Sequence, residues 1–278
     1  PVLRDGLNEA PELFTITLSE ARNAVLDAVT SVSVTILDSN APPVVRFTGD
    51  VRSVPEGGNS VALTIQLSEV SALDVTVPFV VQGSAEQADH TLRAGTAIIP
   101  AGQTSVRLRF SIVNDRIDEE DERIEVRLRT PTNAQLGAPS LYTITIGDDD
   151  TAAVIVDPIA LRLAEGGAAA SYGVRLDSQP LFPVTIALQT ADGQLQTSPA
   201  SLTFTAENWA SEQRVSVSAV DDLVDETPPG NNSATHVGLI AHSAASLDPR
   251  YERITVAPVT ATITDNDTAG IFVDPISL

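Results

Sequence analysis

Nine consecutive residues, Asn114 to Glu122 (Asn-Asp-Arg-Ile-Asp-Glu-Glu-Asp-Glu), hold six carboxylates. A second acidic knot, Asp148-Asp149-Asp150, follows later in the chain. Like charges packed this closely repel, so a fold gathers them only against a compensating cation or in full solvation. Calcium suits such a set, because it takes six to eight hard oxygens at about 2.3–2.6 Å in a loose geometry that loops can meet. The expectation is that the two knots meet in space around calcium. The competing reading is a pair of solvated acidic loops.

The elements that must position these acids are strands. Val106, Leu108, Phe110 and Ile112 alternate with polar residues before the acidic stretch, and Ile124, Val126 and Leu128 alternate after it. Alternation at period two predicts a strand on each flank, so the acidic stretch is the loop between them. Residues 5–40 match 115–150 without a gap at an offset of 110, with Asp5, Glu9 and Glu12 falling on Asp115, Glu119 and Glu122. Thr151 to Leu161 match Thr268 to Leu278 at an offset of 117. These offsets divide the chain into the closing part of one module (1–40), a complete module (41–150), a complete but divergent module (151–267), and the first strand of a further one (268–278).

Within 41–150, Pro55-Glu56-Gly57-Gly58 breaks the opening strand, and Val61, Leu63, Ile65 and Leu67 alternate after it. Val75, Val77 and Phe79 follow, and a polar stretch from Gly83 to Arg93 carries Asp89. About seven short strands without helical periodicity predict an all-β chain of tandem antiparallel, immunoglobulin-like β-sandwiches. The second complete module repeats the plan through Ala164-Glu165-Gly166-Gly167. Its register then breaks: Asp222 lies 107 past Asp115 whereas Asp265 lies 117 past Asp148, so ten residues are inserted between them. The turn-rich Thr227 to Asn232 is the expected place for part of that insertion.

The formal net charge is −21, from 37 acidic and 16 basic residues, which excludes electrostatic binding to nucleic acid as a main role. Without cysteine no disulfide staples the fold. No apolar run approaches the roughly 20 residues of a membrane helix. The chain has no Met and starts in mid-pattern, which reads as an internal window of a longer protein.

The order Glu-Gly-Gly, alternating strands, a polar stretch with Asp89, Pro-Ala-Gly-Gln-Thr-Ser, the acidic loop before a strand, Asn133-Ala134-x-Leu136-Gly137, then Thr143-Ile-Thr-Ile-Gly-Asp-Asp-Asp150 resembles the Calx-beta module. That family occurs in regulatory parts of sodium/calcium exchangers, in an integrin subunit and in arrays of bacterial surface and secreted proteins. The resemblance implies calcium at one end of the sandwich, held by Glu56, Asp89, Asp115, Glu119, Glu122, Asp148, Asp149 and Asp150. Eight carboxylates exceed the need of one ion, so a cluster of two or more is expected. Asn114 stands where binding members often have Asp, the carbonyl of Ile117 is a further donor, and Asp118, Glu120 and Asp121 face water.

The divergent module keeps Glu165, Asp221, Asp222, Asp225, Glu226, Asp265 and Asp267 as a weaker set. No Asp follows the polar-loop pattern there, Pro229 stands where Glu122 would fall, and Asn266 replaces the middle acid of the closing run. The opening fragment offers Asp5, Glu9, Glu12 and Asp38, an incomplete set.

Catalytic signatures are missing: no Gly-x-Ser-x-Gly, phosphate-binding loop or dinucleotide fingerprint occurs. His236 and His242 lack a metalloprotease spacing and read as solvated or strand-edge residues, and Trp209 reads as a core or turn-packing aromatic. The chain is therefore expected not to be an enzyme. It reads as a calcium-binding structural and adhesive repeat region of a large extracellular or cell-surface, bacterial protein. Its partners would be calcium, neighbouring modules and cell-surface or matrix ligands, with no membrane insertion in this stretch. The closing acids fall one or two residues before the next module's first strand, so calcium there would stiffen the junction. The alternatives are a metal-free spacer, a calcium sensor attached to a membrane transporter, and an appendage of a secreted enzyme. A cadherin-like module, suggested by Thr264-Asp265-Asn266-Asp267, fits the Glu-Gly-Gly and acidic-loop placements less well.

Overall fold

The computed structural model describes residues 2, 5–57, 60–191, 193–226 and 234–271. The chain divides into two compact units, residues 1–115 with 120–148 and residues 116–119 with 149–278. Thr227 to Asn232, Pro229 among them, and all but the first residues of the 268–278 stretch lie outside the described residues.

The first unit opens with an antiparallel pair, β1 (Glu12–Thr17) and β2 (Ser31–Ile36), with mostly exposed side chains. The sandwich after it comprises β3 (Val44–Phe47), β4 (Val51–Pro55), β5 (Ser60–Leu67), β6 (Val75–Gly83), β7 (Gly95–Ile99), β8 (Ser105–Ser111), β9 (Glu122–Leu128), β10 (Gln135–Leu136) and β11 (Leu141–Gly147). One sheet runs in the order β10-β3-β5-β8 and the other β4-β11-β9-β6-β7.

The all-β sandwich class follows from the alternation. Val61, Leu63, Ile65 and Leu67 of β5 and Ile124, Val126 and Leu128 of β9 are buried in one core. Each such side chain contributes about 1.5–3 kcal/mol by leaving water. Alternation does not show that the opening strand changes sheets. After β3 pairs with β10, the chain crosses at residues 48–50 and β4 pairs in parallel with β11. That crossover splits one expected strand into two and introduces parallel pairs into an otherwise antiparallel sandwich.

The second unit has the same plan: β12 (Val154–Asp157), β13 (Ala160–Ala164), β14 (Ala170–Leu176), β15 (Val184–Thr190), β16 (Leu195–Ser198), β17 (Ser201–Phe204), β18 (Gln213–Ala219), β19 (Thr235–Ala245) and β20 (Val259–Thr264). Its sheets are β12-β14-β18-β16 and β13-β20-β19-β15-β17, with β13 parallel to β20. Tyr172 and Tyr251 are fully buried in its core, and Trp209 packs against that core, partly buried. Among the described residues no helix is long and apolar enough to cross a membrane.

Candidate metal sites

In the first unit the sheet order brings separated acids to one end of the sandwich. β4 and β11 run in parallel, so Glu56 and Asp148, the residues that follow them, emerge together; the Glu56 N–H donates to the carbonyl of Gly147 at 2.9 Å. β9 runs the other way and starts there, at Glu122. β8 ends there too, opposite the start of β5. The Asp89 loop is tied to the same end: the Asp89 carbonyl accepts the Val113 N–H at 2.8 Å, and its carboxylate accepts the Glu86 N–H. Glu56 is buried (6% exposed) and its Oε1 accepts the Asp115 N–H at 3.0 Å. Asp89 and Glu122 bring one carboxylate oxygen each within 4.8 Å of the other. Glu120 and Asp121 are exposed, as expected.

Residues 116–119 and 149 onward group with the second unit, and with them Glu119, Asp149 and Asp150. Asp118, expected to face water, does not: its Oδ2 accepts the Ala152 N–H at 2.6 Å and its Oδ1 pairs with Arg250 Nε at 3.3 Å. Its side chain is 16% exposed. The partner, Arg250, lies over 130 residues away in sequence, so local reading could not supply it.

In the opening fragment Asp5, Glu9, Glu12 and Asp38 line one pocket. Asp38 accepts the backbone N–H groups of Glu9 and Asn40, and these bonds hold its carboxyl below the usual range. Glu9 is pushed up, first by the Asp5 charge and then by burial.

The second unit gathers its acids at the corresponding end. Glu165 follows β13 and Asp265 follows β20, and the two strands are parallel with Ala164 opposite Thr264. Gly166 adopts φ +61°, a conformation open to glycine, and lets the chain turn close over the Asp221 carboxylate. Two sets of ligand atoms lie mutually within 4.8 Å: Glu165 with Asp265 and Asp267, and Glu165 with Glu226 and His236. Glu165 and Asp265 are 5% and 4% exposed. Asp265 Oδ2 accepts the Glu226 N–H at 3.0 Å and its Oδ1 accepts the Asp267 N–H at 2.7 Å. Asn266 Nδ2 reaches Asp221 Oδ1 at 3.1 Å, so Asp221 is linked through Asn266. Asp222 closes a turn by accepting the Val224 N–H, and Asp225 accepts the N–H of Ala269, which follows the closing acids.

Burial raises the Glu165 carboxyl, and Glu226 and Asp265 add to this, while the Asn266 N–H and His236 oppose it. Asp267 is raised by burial and then by Asp265, Asp221, Asp222 and Asp225. An uncompensated cluster thus disfavours its own ionisation, the situation a bound cation reverses.

His236 was missed as a candidate. In the first unit Glu122 pairs with Ile146, and in the second His236 pairs with Ile263, the residue 117 past Ile146. The ladder register therefore gives His236, and not Pro229, the position of Glu122. The ten inserted residues split into seven before His236 and three after it, since His236 lies 114 past Glu122 and Asp265 lies 117 past Asp148. A usable signal was the alternation His236, Gly238, Ile240, of which Gly238 and Ile240 are buried. Nor is His242 solvated: its Nε2 lies 2.8 Å from Tyr172 Oη and its Nδ1 lies 2.8 Å from the Ala257 carbonyl.

Residues 38–150 match the Calx-beta domain. This stretch is similar to the Calx-beta family. The curated relatives include sodium/calcium exchanger 1 of Mus musculus, 31% identical over 159 residues, which cover 49% of this chain and 16% of the exchanger. The exchanger of Bos taurus is 33% identical over 84 residues, 24% of this chain and 9% of that protein. The chain thus spans a small part of the relatives it matches. Similar solved structures include the calcium binding domain CBD12 of CALX1.1 (16% identical, TM-score 0.41), with 78% of this chain and 98% of that one covered. The apo-form Calx CBD1 domain is 25% identical with a TM-score of 0.37 and is matched over 40% of this chain and all of that one. The matched stretch contains Glu56, Asp89, Asp115, Glu119, Glu122, Asp148, Asp149 and Asp150, and leaves out Asp5, Glu9 and Glu12 of the opening fragment.

Proposed function

We propose that the Calx-beta-like stretch binds calcium through Glu56, Asp89, Asp115, Glu122 and Asp148, joined by their chain neighbours Glu119, Asp149 and Asp150. The convergence of the first five on one end of the sandwich carries this reading. The donor set fits the ion, because it offers carboxylate oxygens from separate loops and no nitrogen. When bound, calcium neutralises the acids and ties together loops that otherwise repel. The all-oxygen set Glu165, Asp265 and Asp267 offers a second calcium position.

The chain then acts as a non-catalytic, calcium-dependent stretch of a repeat array at an extracellular or cell surface, where it serves spacing and adhesion. Calcium on the closing acids, which directly precede the next module's first strand in the chain, stiffens the array. Small-angle scattering of the 278-residue chain, with calcium and with chelator, tests the stiffening; identical maximum dimensions refute it. The matches to sodium/calcium exchangers favour a second reading, calcium-sensing domains attached to a membrane transporter. A membrane domain in the full-length protein decides for the second reading, and further modules flanked by surface-anchoring sequence decide for the first. Calorimetric titration of the chain with calcium tests the reading common to both, and absence of binding heat and of any melting shift refutes it.

A further inference from the structure

The second unit contains a ligand set that an all-oxygen calcium site does not use. Glu165, Glu226 and His236 each place a donor atom within 4.8 Å of the other two. Glu165 is 5% exposed, and its Oε1 is buried without a hydrogen-bond partner among the described residues. Glu226 Oε2 and both ring nitrogens of His236 are buried in the same condition. Leaving a buried donor or acceptor unsatisfied costs about 1–3 kcal/mol per group. The other Glu226 oxygen is occupied, accepting from Gln194 Nε2 at 2.9 Å, which fixes the carboxylate with Oε2 turned to the cluster. The remaining Glu165 oxygen accepts a long bond from the Asn266 N–H at 3.4 Å.

The chemistry of the set differs from that of the first unit's acids. Calcium is held by oxygen, and imidazole nitrogen suits zinc and its neighbours among the transition metals. Strand register puts this nitrogen where the first unit has the Glu122 carboxylate. One buried and one partly buried carboxylate with an imidazole supply three of the four ligands of a tetrahedral zinc site, whose Zn–N and Zn–O distances are near 2.0–2.2 Å. Glu165 also belongs to the oxygen set with Asp265 and Asp267, so it can bridge a nitrogen-containing and an oxygen-only position.

We propose that the second unit binds a borderline divalent transition metal, with zinc the reference ion, through Glu165, Glu226 and His236. This does not depend on calcium binding by the Calx-beta-like stretch. The test uses the 278-residue chain without an affinity tag, held in millimolar calcium so that hard-cation positions are filled. Cobalt(II) is titrated in and its visible d–d absorption recorded, then zinc is added. A saturable band displaced by zinc is expected, and His236→Gln weakens the cobalt affinity roughly tenfold or more. Unchanged cobalt affinity in the variant overturns the proposal, and so does the absence of any band in calcium, which makes the position a hard-cation site. The calcium-dependent melting shift is followed in the same samples, so that loss of calcium binding and loss of cobalt binding are separate results. Should His236→Gln fail to fold, histidine ring proton resonances of the wild-type chain are followed with substoichiometric cobalt. Selective loss of the His236 signals supports the site, and His90 or His242 responding first overturns it.

Discussion

Replacing Glu56 by Gln separates ligation from folding in the Calx-beta-like stretch. Glu56 is 6% exposed, and its Oε1 accepts the Asp115 N–H at 3.0 Å. A glutamine carbonyl keeps that bond and nearly the same volume, so the calcium-free stability should change little. What is lost is one negative charge at the closed end of the cluster. For an extracellular-type affinity of about 10⁻⁴ to 10⁻³ M, 10 mM calcium stabilises the folded state by RT ln(1 + [L]/Kd), about 1.4–2.7 kcal/mol. For a unit of this size each kcal/mol shifts Tm by roughly 3–5 °C. The wild-type chain should therefore melt about 4–14 °C higher in 10 mM calcium than in chelator. A tenfold affinity loss in Glu56→Gln removes about 1.0–1.3 kcal/mol at 10 mM calcium, and thus about half or more of that shift. Differential scanning calorimetry of both proteins, with and without calcium, is the assay. An undiminished shift in the variant places the site away from Glu56 and refutes the reasoning.

Tyr251→Phe should destabilise the second unit by about 1–3 kcal/mol in urea denaturation, because the buried Tyr251 hydroxyl accepts the Ser178 N–H, donates to the Ser178 carbonyl at 2.6 Å, and meets Ser178 Oγ at 2.8 Å. The variant retains the ring, so a loss well above that range would show that packing has failed too. Ile124→Ala, at a position 0% exposed in β9, should cost the first unit about 2–5 kcal/mol in the same assay, and a cost under 1 kcal/mol would contradict the assigned core. Burial holds His242 below its ordinary value of 6.5, so the unfolded chain takes up the proton first. Its contribution to stability is complete above about pH 6.5 and is lost as pH falls below it. Tm should accordingly drop more between pH 7.5 and 5.5 for the wild-type chain than for His242→Gln, and equal drops would show that the imidazole is not the group responsible.

The strand alternation around the acidic loop was sufficient to read the sandwich class, since a half-buried strand must alternate whatever it pairs with. Asp115, Glu122 and Asp148 stood out through the repeat spacing, whereas Glu56 and Asp89 were named through the resemblance to the Calx-beta module. The same spacing argument failed at His236. It carried the offset of 107 on to Pro229, whereas the register places seven of the ten inserted residues before His236. Asp118 looked solvated because its cationic partner, Arg250, is remote in sequence.

By itself the sequence determined the repeat, the buried face of each strand and the identity of the acids, all properties of residue type and short-range period. Tertiary structure alone decided that the opening strand changes sheets, that Glu165 shares its surroundings with Asp265 and Glu226, and that a histidine stands in a glutamate's place. Those outcomes depend on which strands pair and in what register. Pairing is settled by burial of the whole core, because a slip of one residue would turn every inward side chain of a strand to the opposite face.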